Sequence, residues 1–496
     1  MSNTPPILVL DAGGAADRGL IGGKAWSIQR MMALGVPVPP AFVITTRAGR
    51  ADGPDPVLPA EVWAAVPTAV AALEARTGRR FGTGPRPLLV SVRSGAATSM
   101  PGMMDTVLDL GINDEVARVL AQEEGAADFA DDTHRRFREQ FEKVVGTPPP
   151  ADPWEQLRRA IAAVLGSWNS PRAISYRESR GLSHEGGTAV TVQAMVFGNL
   201  DDRSGTGVLF TRNPLTGGAE PYGEWLPRGQ GEDVVSGRCD ARPLTDLETT
   251  LPQVHTDLLA AAAQLEADSA DVQDIEFTVE SGVLWLLQSR AAKRSPEAVV
   301  RHAVLLAREG LITESQALDR VSPENVRTLL SPRLDPAEVA AAPVLATGKP
   351  ACPGLAAGVV VTDTGEALER AYRGEAVILA RPTTDPDDVA AMSVAVAVIT
   401  ELGGSTSHAA VVCRELAVPC VVGCGAGTLV TLDGRAATVD ASAGTVYPGE
   451  LTVVPATAAD DPDIALLTRW ARAESPDGAP GPLPELLRRR KMEKMR

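Results

Sequence analysis

The sequence predicts a protein of several domains that combines α/β and α+β architecture. Its 496 residues suffice for two to four domains with substantial cores. Short apolar runs rich in valine, leucine and alanine recur between glycine turns, as buried strands do. Two long stretches, 113–185 and 293–340, show helical patterns instead. Strand-rich regions separated by helical stretches indicate more than one folding unit.

The composition excludes several broad classes of protein. Hydrophobic residues make up 44% of the chain, which fits a globular protein. The net charge of −16 argues against a general nucleic-acid or membrane-surface binder, although a nucleotide site needs only a local cluster of cations. No run approaches about 18 apolar residues, and the first residues, MSNTPPILVL, lack the pattern of a signal peptide. We therefore expect a cytoplasmic protein without a membrane span.

The cysteines predict neither a disulfide framework nor a metal site. Their number is odd and their spacing irregular, without a CxxC pair. They are Cys239, Cys352, Cys413, Cys420 and Cys424. A zinc site near residue 413 is disfavoured, because one candidate ligand would lie on a helix and two would flank a strand. A reducing compartment is the simplest setting.

The first strand–helix unit contains a lysine that is a candidate phosphate ligand. Ile7–Leu10 and Phe42–Thr45 are predicted strands, and a helix is predicted from Gly22 to Leu34. Lys24 follows two glycines, so its amine could reach a phosphate that the backbone approaches closely. The spacing does not match a Walker A loop. An ordinary surface lysine at a helix start is the competing interpretation.

A second candidate for anion binding follows the predicted strand Pro87–Val92. The loop from Arg93 to Asp105 is rich in glycine, serine and threonine and begins with a guanidinium. Backbone N–H groups, hydroxyls and an arginine together suit a phosphate, although such loops can also be plain turns. The charged stretch 113–185 is predicted to be a helical insert without chemistry.

Polar side chains converge on a predicted β-hairpin. Its strands are 271–279 and 283–289, joined by Glu280-Ser281-Gly282. Strand alternation places Asp274 with Glu276 on one face, and Gln288 with Arg290 on one face of the partner strand. Carboxylate, amide and guanidinium groups suit Mg²⁺–triphosphate. Ordinary cross-strand pairs on a solvent face explain the pattern equally well.

The second half of the chain is predicted to contain a hinge, a small domain and a tail. Short helices are expected over 293–340, and the Ala/Pro-rich segment 340–350 is interpreted as a linker. Short Val/Ala strands over 351–456 indicate a compact unit. The acidic, Pro/Gly-rich segment that follows predicts one short helix around Trp470 and a solvated or frayed basic end.

One histidine lies at a predicted helix N-terminus within this small unit. Gly403 and Gly404 form a turn, three small hydroxyl residues follow, and a helix is predicted from His408 to Leu416. Strands are predicted before and after it, at 394–400 and 419–423. A helix N-terminus favours an anion, so this imidazole could carry a phosphoryl group covalently. A capping or core-edge histidine is the alternative.

At these motifs the chain resembles the pyruvate, phosphate dikinase family. The matching segments are VSVRSGAATSMPGMMDTVLDLG at 90–111, VQAMVFGN at 192–199, SGTGVLFTRNP at 204–214, GQGEDVV at 229–235, DVQDIEFTV at 271–279, LWLLQSR at 284–290 and GGSTSHAAVV at 403–412. The likeness spans roughly residues 6–450. Phosphoenolpyruvate synthase and rifampin phosphotransferase share the architecture but usually lack the SMPGMMDT run.

The resemblance implies a division of the chain into domains. An ATP-grasp nucleotide-binding domain would span residues 1–290, with the helical insert at 113–185. A helical linker would span 291–343 and a swivelling phosphohistidine domain 344–456. The tail, 457–496, would be partly disordered.

The resemblance also implies roles for individual residues. Lys24 and Arg93 would contact the phosphates of ATP, and Gln193, Met195 and Val196 would line the adenine pocket. Asp274 and Glu276 would serve the metal and the ribose, and Gln288 would join Glu276 in holding Mg²⁺. Arg290 would stabilise the transferring group. His408 would carry the phosphoryl group, and Thr406 matches a threonine that regulators phosphorylate in some members.

The implied activity is the ATP-dependent half of a dikinase reaction. His408 would attack the β-phosphorus of ATP and release AMP, after which the terminal phosphoryl group would pass to inorganic phosphate. Ser405 departs from the methionine usual in the GGMTSHAA motif, and the helical insert is shorter than usual. No (β/α)₈ run follows residue 456, so a separate barrel protein that binds pyruvate or phosphoenolpyruvate is expected. A homo-oligomer is compatible with this reading.

Other outcomes stay open from the sequence. The phosphoryl acceptor could be a metabolite or an antibiotic in place of pyruvate. The chain could also be a non-catalytic, regulatory remnant of a dikinase, although all the residues expected for ATP chemistry are present.

Overall fold

The computed structural model divides the chain into two compact units. Unit 1 comprises residues 1–206, 227–230 and 276–289, and unit 2 comprises 207–226, 231–275 and 290–496. The residues described are 5–14, 16–48, 58–96, 100, 103–124, 126–184, 186–235, 241–330, 333–454, 461–475 and 480–494. Cys239 and most of the predicted phosphate loop after Ala96 lie outside these ranges.

Unit 1 is built on an antiparallel sheet with the strand order β1-β2-β7-β5-β6. The strands are β1 Ile7–Val9, β2 Ala41–Ile44, β3 Arg80–Phe81, β4 Pro87–Leu88, β5 Val90–Gly95, β6 Thr106–Leu110 and β7 Ala189–Ala194. The helices are α1 Arg18–Ala33, α2 Ala60–Thr77, α3 Asp114–Glu124, α4 Ala127–Val145, α5 Pro153–Gly166 and α6 Pro171–Ser179. The predicted helical insert is therefore confirmed as four helices.

Apolar spacing explains why the insert packs on this sheet. In α4, Phe129, Phe137 and Phe141 recur at multiples of four residues and are all buried. They join a core that includes Val90, Val92 and residues of α5. The charged residues of α4 occupy its other face. The insert thus contributes apolar surface to the core of unit 1.

Two predictions in this unit are corrected by the fold. The first helix begins at Arg18, four residues before the predicted start, and Asp17 caps it by accepting a hydrogen bond from the Gly19 amide. Gly22 interrupts it with φ of 76°, and a Cβ there would stand 1.9 Å from the carbonyl oxygen of Gly95. Arg93 lies inside strand β5 and does not begin the following loop.

A second sheet has the strand order β10-β9-β8-β11-β12. Its strands are β8 Gly205–Phe210, β9 Tyr222–Pro227, β10 Arg242–Pro243, β11 Gln273–Glu280 and β12 Val283–Ala291. The accompanying helices are α7 Gly231–Val235, α8 Thr245–Thr250 and α9 Pro252–Ser269. The predicted hairpin is confirmed: β11 and β12 are neighbours, and Ser281 and Gly282 form the turn with φ of 48° and 81°.

The helices expected over 293–340 are present in unit 2. They are α10 Pro296–Arg308, α11 Glu314–Arg320, α12 Pro323–Leu329 and α13 Pro336–Ala341. Serine, threonine or aspartate caps each N-terminus, and proline occupies the first turn of three of them. Ser295 caps α10, as its Ser-Pro-Glu start predicts.

An eight-stranded sheet lies within unit 2, in the region that contains the histidine. Its order is β14-β21-β20-β16-β17-β18-β19-β15. The strands of this region are β13 Arg333–Leu334, β14 Ala346–Thr347, β15 Lys349–Cys352, β16 Leu355–Val361, β17 Val377–Arg381, β18 Ala397–Thr400, β19 Cys420–Val422, β20 Ala436–Asp440, β21 Thr445–Pro448 and β22 Val453–Val454. The remaining helices are α14 Thr364–Tyr372, α15 Val389–Val394, α16 His408–Leu416, α17 Pro462–Glu474 and α18 Leu483–Lys494.

The centre of this sheet explains the position of the histidine. Strands β16, β17, β18 and β19 are parallel, so each connection between them must cross over, and α14, α15 and α16 do so. The three helices bury small apolar residues against one face of the sheet. His408 therefore lies just after the carboxyl end of β18, where α16 begins. Strand β18 is shorter than predicted because α15 continues to Val394.

The predicted linker at 340–350 is largely structured. Helix α13 continues to Ala341, β14 pairs with β21, and β15 pairs with β19. Only residues 342–345 and 348 of this segment lie outside helices and strands. Alanine and proline in this segment mark helix ends and edge strands, both of which tolerate proline.

The prediction of a frayed basic end is wrong. Helices α17 and α18 pack against α10, α11 and α12 through Leu467, Trp470, Leu486 and Leu487. Arg490 donates to the Asp319 carboxylate and to Ser315. The basic residues of α18 outnumber the few leucines that form its narrow apolar stripe, so the sequence of this helix looks solvated.

Replacing Leu487 by alanine is expected to lower the free energy of unfolding by about 2–5 kcal/mol. Its side chain is 4% exposed, so the substitution leaves a cavity between helices. Met492→Ala on the same helix is the matched control, because Met492 is 62% exposed. Denaturant titration measures both variants, and equal stability of the two would contradict the packing of α18.

None of the helices in the described ranges is long and apolar enough to cross a membrane.

Candidate functional site

Arg93 is the centre of a polar cluster in unit 1. Its Nη1 lies 3.4 Å from Oε1 of Gln193, and its Nη2 lies 3.3 Å from Oε2 of Glu276. Strand pairing brings Arg93 close to Gln193. Strands β5 and β7 are neighbours, and in their register Ser91 lies opposite Gln193 and Arg93 lies opposite Thr191. The Arg93 side chain is 13% exposed. A guanidinium fixed in this way suits a phosphate that approaches from the open side.

Lys24 lies beside the same strand. Its Cβ is 3.5 Å from the position that a Cβ on Gly95 would take, and the Gly23 amide donates to the carbonyl of Ala96. The lack of a side chain at Gly22, where a Cβ would stand 1.9 Å from the Gly95 carbonyl oxygen, allows this close approach of α1 to β5. The structure thus brings the backbone at Lys24 to the end of the strand that carries Arg93.

The predicted adenine residues fall into two groups. Gln193 is buried, and its Nε2 donates to the carbonyl of Pro39 at 3.1 Å while its Oε1 faces Arg93. Met195 and Val196 follow the end of β7 and are half-buried. Gln193 therefore helps to hold Arg93, and a role of all three residues at adenine stays a prediction.

Asp274 and Arg290 pair within unit 2. The Arg290 Nε donates to Oδ2 of Asp274 at 2.8 Å, and the aspartate side chain is 3% exposed. The other oxygen, Oδ1, is buried and has no hydrogen-bond partner among the described residues. A buried carboxylate oxygen in this state is costly unless a cation or a hydroxyl donor satisfies it.

The proposed metal ligands lie on the two strands of the hairpin. Glu276 follows Asp274 by two residues on the same face of β11, and Gln288 is buried on β12. Among the described residues, no group of three or more His, Cys, Asp or Glu could hold a metal ion by itself. A carboxylate and an amide oxygen would therefore need phosphate oxygens to complete a magnesium shell.

His408 is the first residue of α16, as predicted. Its Nδ1 lies 3.3 Å from Oγ1 of Thr384, whereas Nε2 is buried without a hydrogen-bond partner in the described part of the chain. Ser407, the N-cap residue, likewise has a buried Oγ with no partner among these residues. The start of α16 thus presents an unused imidazole nitrogen, an unused hydroxyl and the N–H groups of a helix N-terminus.

Burial lowers the pKa of His408 below its ordinary value of 6.5. Asp385 and Asp388 act in the opposite direction through their charges, but desolvation is the larger effect. The imidazole is therefore neutral near pH 7. In the tautomer that carries its proton on Nδ1, this N–H donates to the Thr384 hydroxyl and the lone pair resides on Nε2.

This pKa gives a testable pH dependence. The rate at which His408 accepts a phosphoryl group should fall as the pH is lowered, with a midpoint below pH 6.5, because only the neutral imidazole is nucleophilic. Quenched-flow labelling as a function of pH measures the rate. Asp388→Asn should move the midpoint of this decrease in rate to still lower pH, because it removes one negative charge that raises the pKa of His408. A midpoint above 6.5 in the unsubstituted chain would contradict the buried, neutral imidazole.

Several residues at this site were not predicted from the sequence. Thr406 donates to Oε2 of Glu224, and the Tyr222 hydroxyl meets Ser405. Arg414 is fully buried and donates from Nη1 to the carbonyls of Ser405 and Ala351. The segment GEWLP carried no charge pattern that could have linked it to a serine about 180 positions later. Arg414 could have been noticed, because it lies in the apolar segment of α16 and arginine is rarely buried unless it is paired.

Comparison with known proteins matches two parts of the chain to family models. The family model described as "Pyruvate phosphate dikinase, AMP/ATP-binding domain" matches residues 55–244, and "PEP-utilising enzyme, mobile domain" matches residues 374–444. Pyruvate, phosphate dikinase of Rhizobium meliloti (strain 1021) is 38% identical over 93% of this chain. The chain belongs to the pyruvate, phosphate dikinase family.

Further dikinases show the same likeness. The Clostridium symbiosum protein is 38% identical over 89% of this chain and 57% of its own length. Pyruvate, phosphate dikinase 1, chloroplastic, of Zea mays is 39% identical over 93% of this chain and 56% of its own length. For the Rhizobium meliloti dikinase the share of its own length is 59%. The chain thus spans a little more than half the length of these relatives.

Proposed function

We propose that this chain catalyses the ATP-dependent phosphorylation of His408. The observation that carries the proposal is the buried imidazole at the start of α16, neutral and with Nε2 unused, in a chain that also holds the arginine–carboxylate pairs of the hairpin. Phosphoryl transfer requires a nucleophile together with fixed positive charge, and both are available here.

The nucleotide residues have distinct proposed tasks. Arg93 and Lys24 bind the phosphates, because Arg93 is held by Glu276 and Gln193 and the Lys24 backbone is held at the end of β5. Arg290, held by Asp274, stabilises the charge that develops on the transferring group. Met195 and Val196 contact the adenine, with Gln193 behind them.

The hairpin also fits a magnesium ion. Asp274 has a buried, unsatisfied Oδ1, and Glu276 and Gln288 supply oxygen ligands of the kind that Mg²⁺ prefers. We propose that Glu276 and Gln288 hold the ion and that Asp274 serves the metal or the ribose. When bound, Mg²⁺ neutralises charge on the phosphate oxygens.

The covalent step begins at His408. Its Nε2 lone pair attacks the β-phosphorus of ATP, a new N–P bond forms, and the bond from that phosphorus to the oxygen bridging to the α-phosphorus breaks, so AMP leaves with that oxygen. The proton remains on Nδ1, from which it is donated in a hydrogen bond to the Thr384 hydroxyl, and the charges of Asp385 and Asp388 stabilise the positive charge on the ring. Transfer of the terminal phosphoryl group to inorganic phosphate gives pyrophosphate and leaves phospho-His408.

The final acceptor is pyruvate in this proposal, as the names of the relatives suggest. It would be presented by a barrel that binds pyruvate or phosphoenolpyruvate. A metabolite or an antibiotic as acceptor, and a regulatory role without catalysis, are the alternatives. Incubation of the phosphorylated chain with pyruvate alone, and then with candidate barrel proteins, separates these outcomes.

The setting of the reaction is also proposed. The described cysteines Cys352, Cys413, Cys420 and Cys424 are free and buried, which suits a reducing cytoplasm. Thr406 is a proposed site of regulatory phosphorylation. Homo-oligomerisation stays a prediction, which the mass of the chain in solution would test.

The decisive experiment uses ATP labelled at single positions. With Mg²⁺ and phosphate present, ³²P from the β-position should appear on the protein as an acid-labile, base-stable adduct, while ³²P from the γ-position should leave as pyrophosphate. Without phosphate, both labels should stay on the protein. Loss of the γ-label without phosphate would show water as its acceptor. Absence of any acid-labile label from β-³²P ATP would refute the proposal.

A further inference from the structure

Residues 403–407 precede His408 and are called the histidine loop. One buried carboxylate of strand β9 holds this loop. Glu224 is 6% exposed. Thr406 donates its hydroxyl to Oε2, and the Ser405 hydroxyl lies 3.5 Å from Oε1. The amine of Lys349 lies 3.8 Å from Oε1 and supplies partial charge balance. Two consecutive residues of the histidine loop thus depend on a single acceptor.

The glycine before them makes this contact sterically feasible. A Cβ on Gly404 would stand 2.4 Å from both carboxylate oxygens of Glu224 and 2.7 Å from its Cδ. The φ angle of Gly404 lies outside the left-handed region, so the backbone itself would accept alanine. The missing side chain is therefore required for the close approach of Glu224 and not for the turn.

Aromatic and basic groups complete the contact. Tyr222, two residues before Glu224 on the same face of β9, meets the Ser405 hydroxyl. Arg414 donates to the Ser405 carbonyl at 2.9 Å, and its guanidinium carbon lies 5.6 Å from the ring centroid of Phe210 on β8. The histidine loop is thereby attached to the sheet whose strands β11 and β12 carry Asp274 and Arg290.

We propose that Glu224, assisted by Tyr222, is a positioning residue that docks the histidine loop for loading by ATP and releases it afterwards. Its contacts are hydrogen bonds from hydroxyl groups, which exchange with water at a modest net free-energy difference, so the docked arrangement can be reversible. Glu224 is not among the residues proposed to bind ATP, so its proposed role is to position the loop and not to touch the reacting atoms. This inference rests on the proposed phosphorylation of His408.

The first test separates docking from nucleotide binding and from the reactivity of the imidazole. Glu224→Ala should slow single-turnover labelling by β-³²P ATP about 10- to 100-fold, the range expected for lost hydrogen bonds to a charged group. ATP affinity measured by equilibrium dialysis should be unchanged. Labelling of His408 by phosphoramidate, a small donor that needs no nucleotide site, should be equal or faster, because undocking exposes Nε2. Glu248→Gln, an exposed residue of α8, is the control for charge.

The second test uses the steric relationship between Gly404 and Glu224. Gly404→Ala alone should slow loading by ATP, because the new methyl group competes with the carboxylate. In the Glu224→Ala background the same change should have little further effect. Gly186→Ala, whose Cβ would meet only ordinary contacts, is the matched control.

The outcomes distinguish this inference from the proposed function. If the unsubstituted chain takes no label from ATP, the proposed function fails. If it is labelled and Glu224→Ala loads at the same rate, the docking inference is overturned. Additive effects of Gly404→Ala and Glu224→Ala, or an equal loss of phosphoramidate labelling, would assign Glu224 a purely structural role and also overturn it.

Discussion

Replacing His408 by alanine is expected to abolish acid-labile labelling by β-³²P ATP. The imidazole Nε2 is buried and unpaired at the start of α16, and the other unpaired group there, the Ser407 hydroxyl, would form an acid-stable ester in place of an acid-labile adduct. Because the labelled bond is formed at that nitrogen, the loss should be complete and not partial. ATP affinity should persist, because His408 is not among the residues proposed to bind the nucleotide. Acid-quenched filtration and equilibrium dialysis measure the two quantities.

A matched histidine variant controls for general effects. His255 lies half-buried on α9 and has no proposed role in phosphoryl transfer, so His255→Ala should retain full labelling. Alanine at position 408 removes the nucleophile and leaves a good helix former in place, so α16 should persist. Label on His408→Ala at the level of the unsubstituted chain would contradict the role of this histidine as phosphoryl carrier.

Local sequence signals predicted most of the framework around His408. The helix His408–Leu416 has the predicted ends, because a glycine turn, a polar N-cap and a left-handed C-cap at Ala417 define it locally. The strand at Cys420–Val422 and the hairpin of β11 and β12 were likewise visible in apolar runs and turn residues. Such features depend on neighbours within a few residues.

Other features depend on distant parts of the chain and could not be predicted. The basic end of the chain was expected to fray because its charges dominate, whereas Leu483, Leu486 and Leu487 find partners on helices more than 150 residues earlier. The sequence predicts Arg93 as the first residue of a loop, whereas its pairing with β7 places it inside a strand. Contacts between segments that are remote in the sequence determine these positions. The hydrophobic periodicity of a segment does not show which remote segment it contacts.

The sequence predicted which residues belong to the candidate site but not how their side chains pair. Arg93, Glu276, Asp274 and Arg290 were expected near phosphate, but their mutual pairing was not. Each guanidinium is held by a carboxylate, which fixes its orientation before any substrate binds. Glu224 and Thr384 escaped notice entirely, since nothing in their local sequence differs from an ordinary strand or turn.

Replacing Arg290 by alanine is expected to lower the rate of His408 phosphorylation about 10³-fold or more, the range known for arginines that stabilise a transferring phosphoryl group. The guanidinium is half-buried and oriented by Asp274, so it can act without reorganisation. ATP affinity should change much less than the rate, because the charge it stabilises develops in the transition state. Rapid-quench labelling at saturating ATP gives the rate, and equilibrium dialysis gives the affinity.

Lysine at position 290 provides the sharper comparison. It keeps the charge but lacks the planar fork that Asp274 orients, so Arg290→Lys should restore only a small part of the lost rate. Arg308→Ala, at an exposed position on α10, should load normally and controls for loss of a positive charge. Equal losses of rate and of ATP affinity in Arg290→Ala would show that this arginine serves ground-state binding, and full activity of Arg290→Lys would show that charge alone, without the geometry set by Asp274, is sufficient.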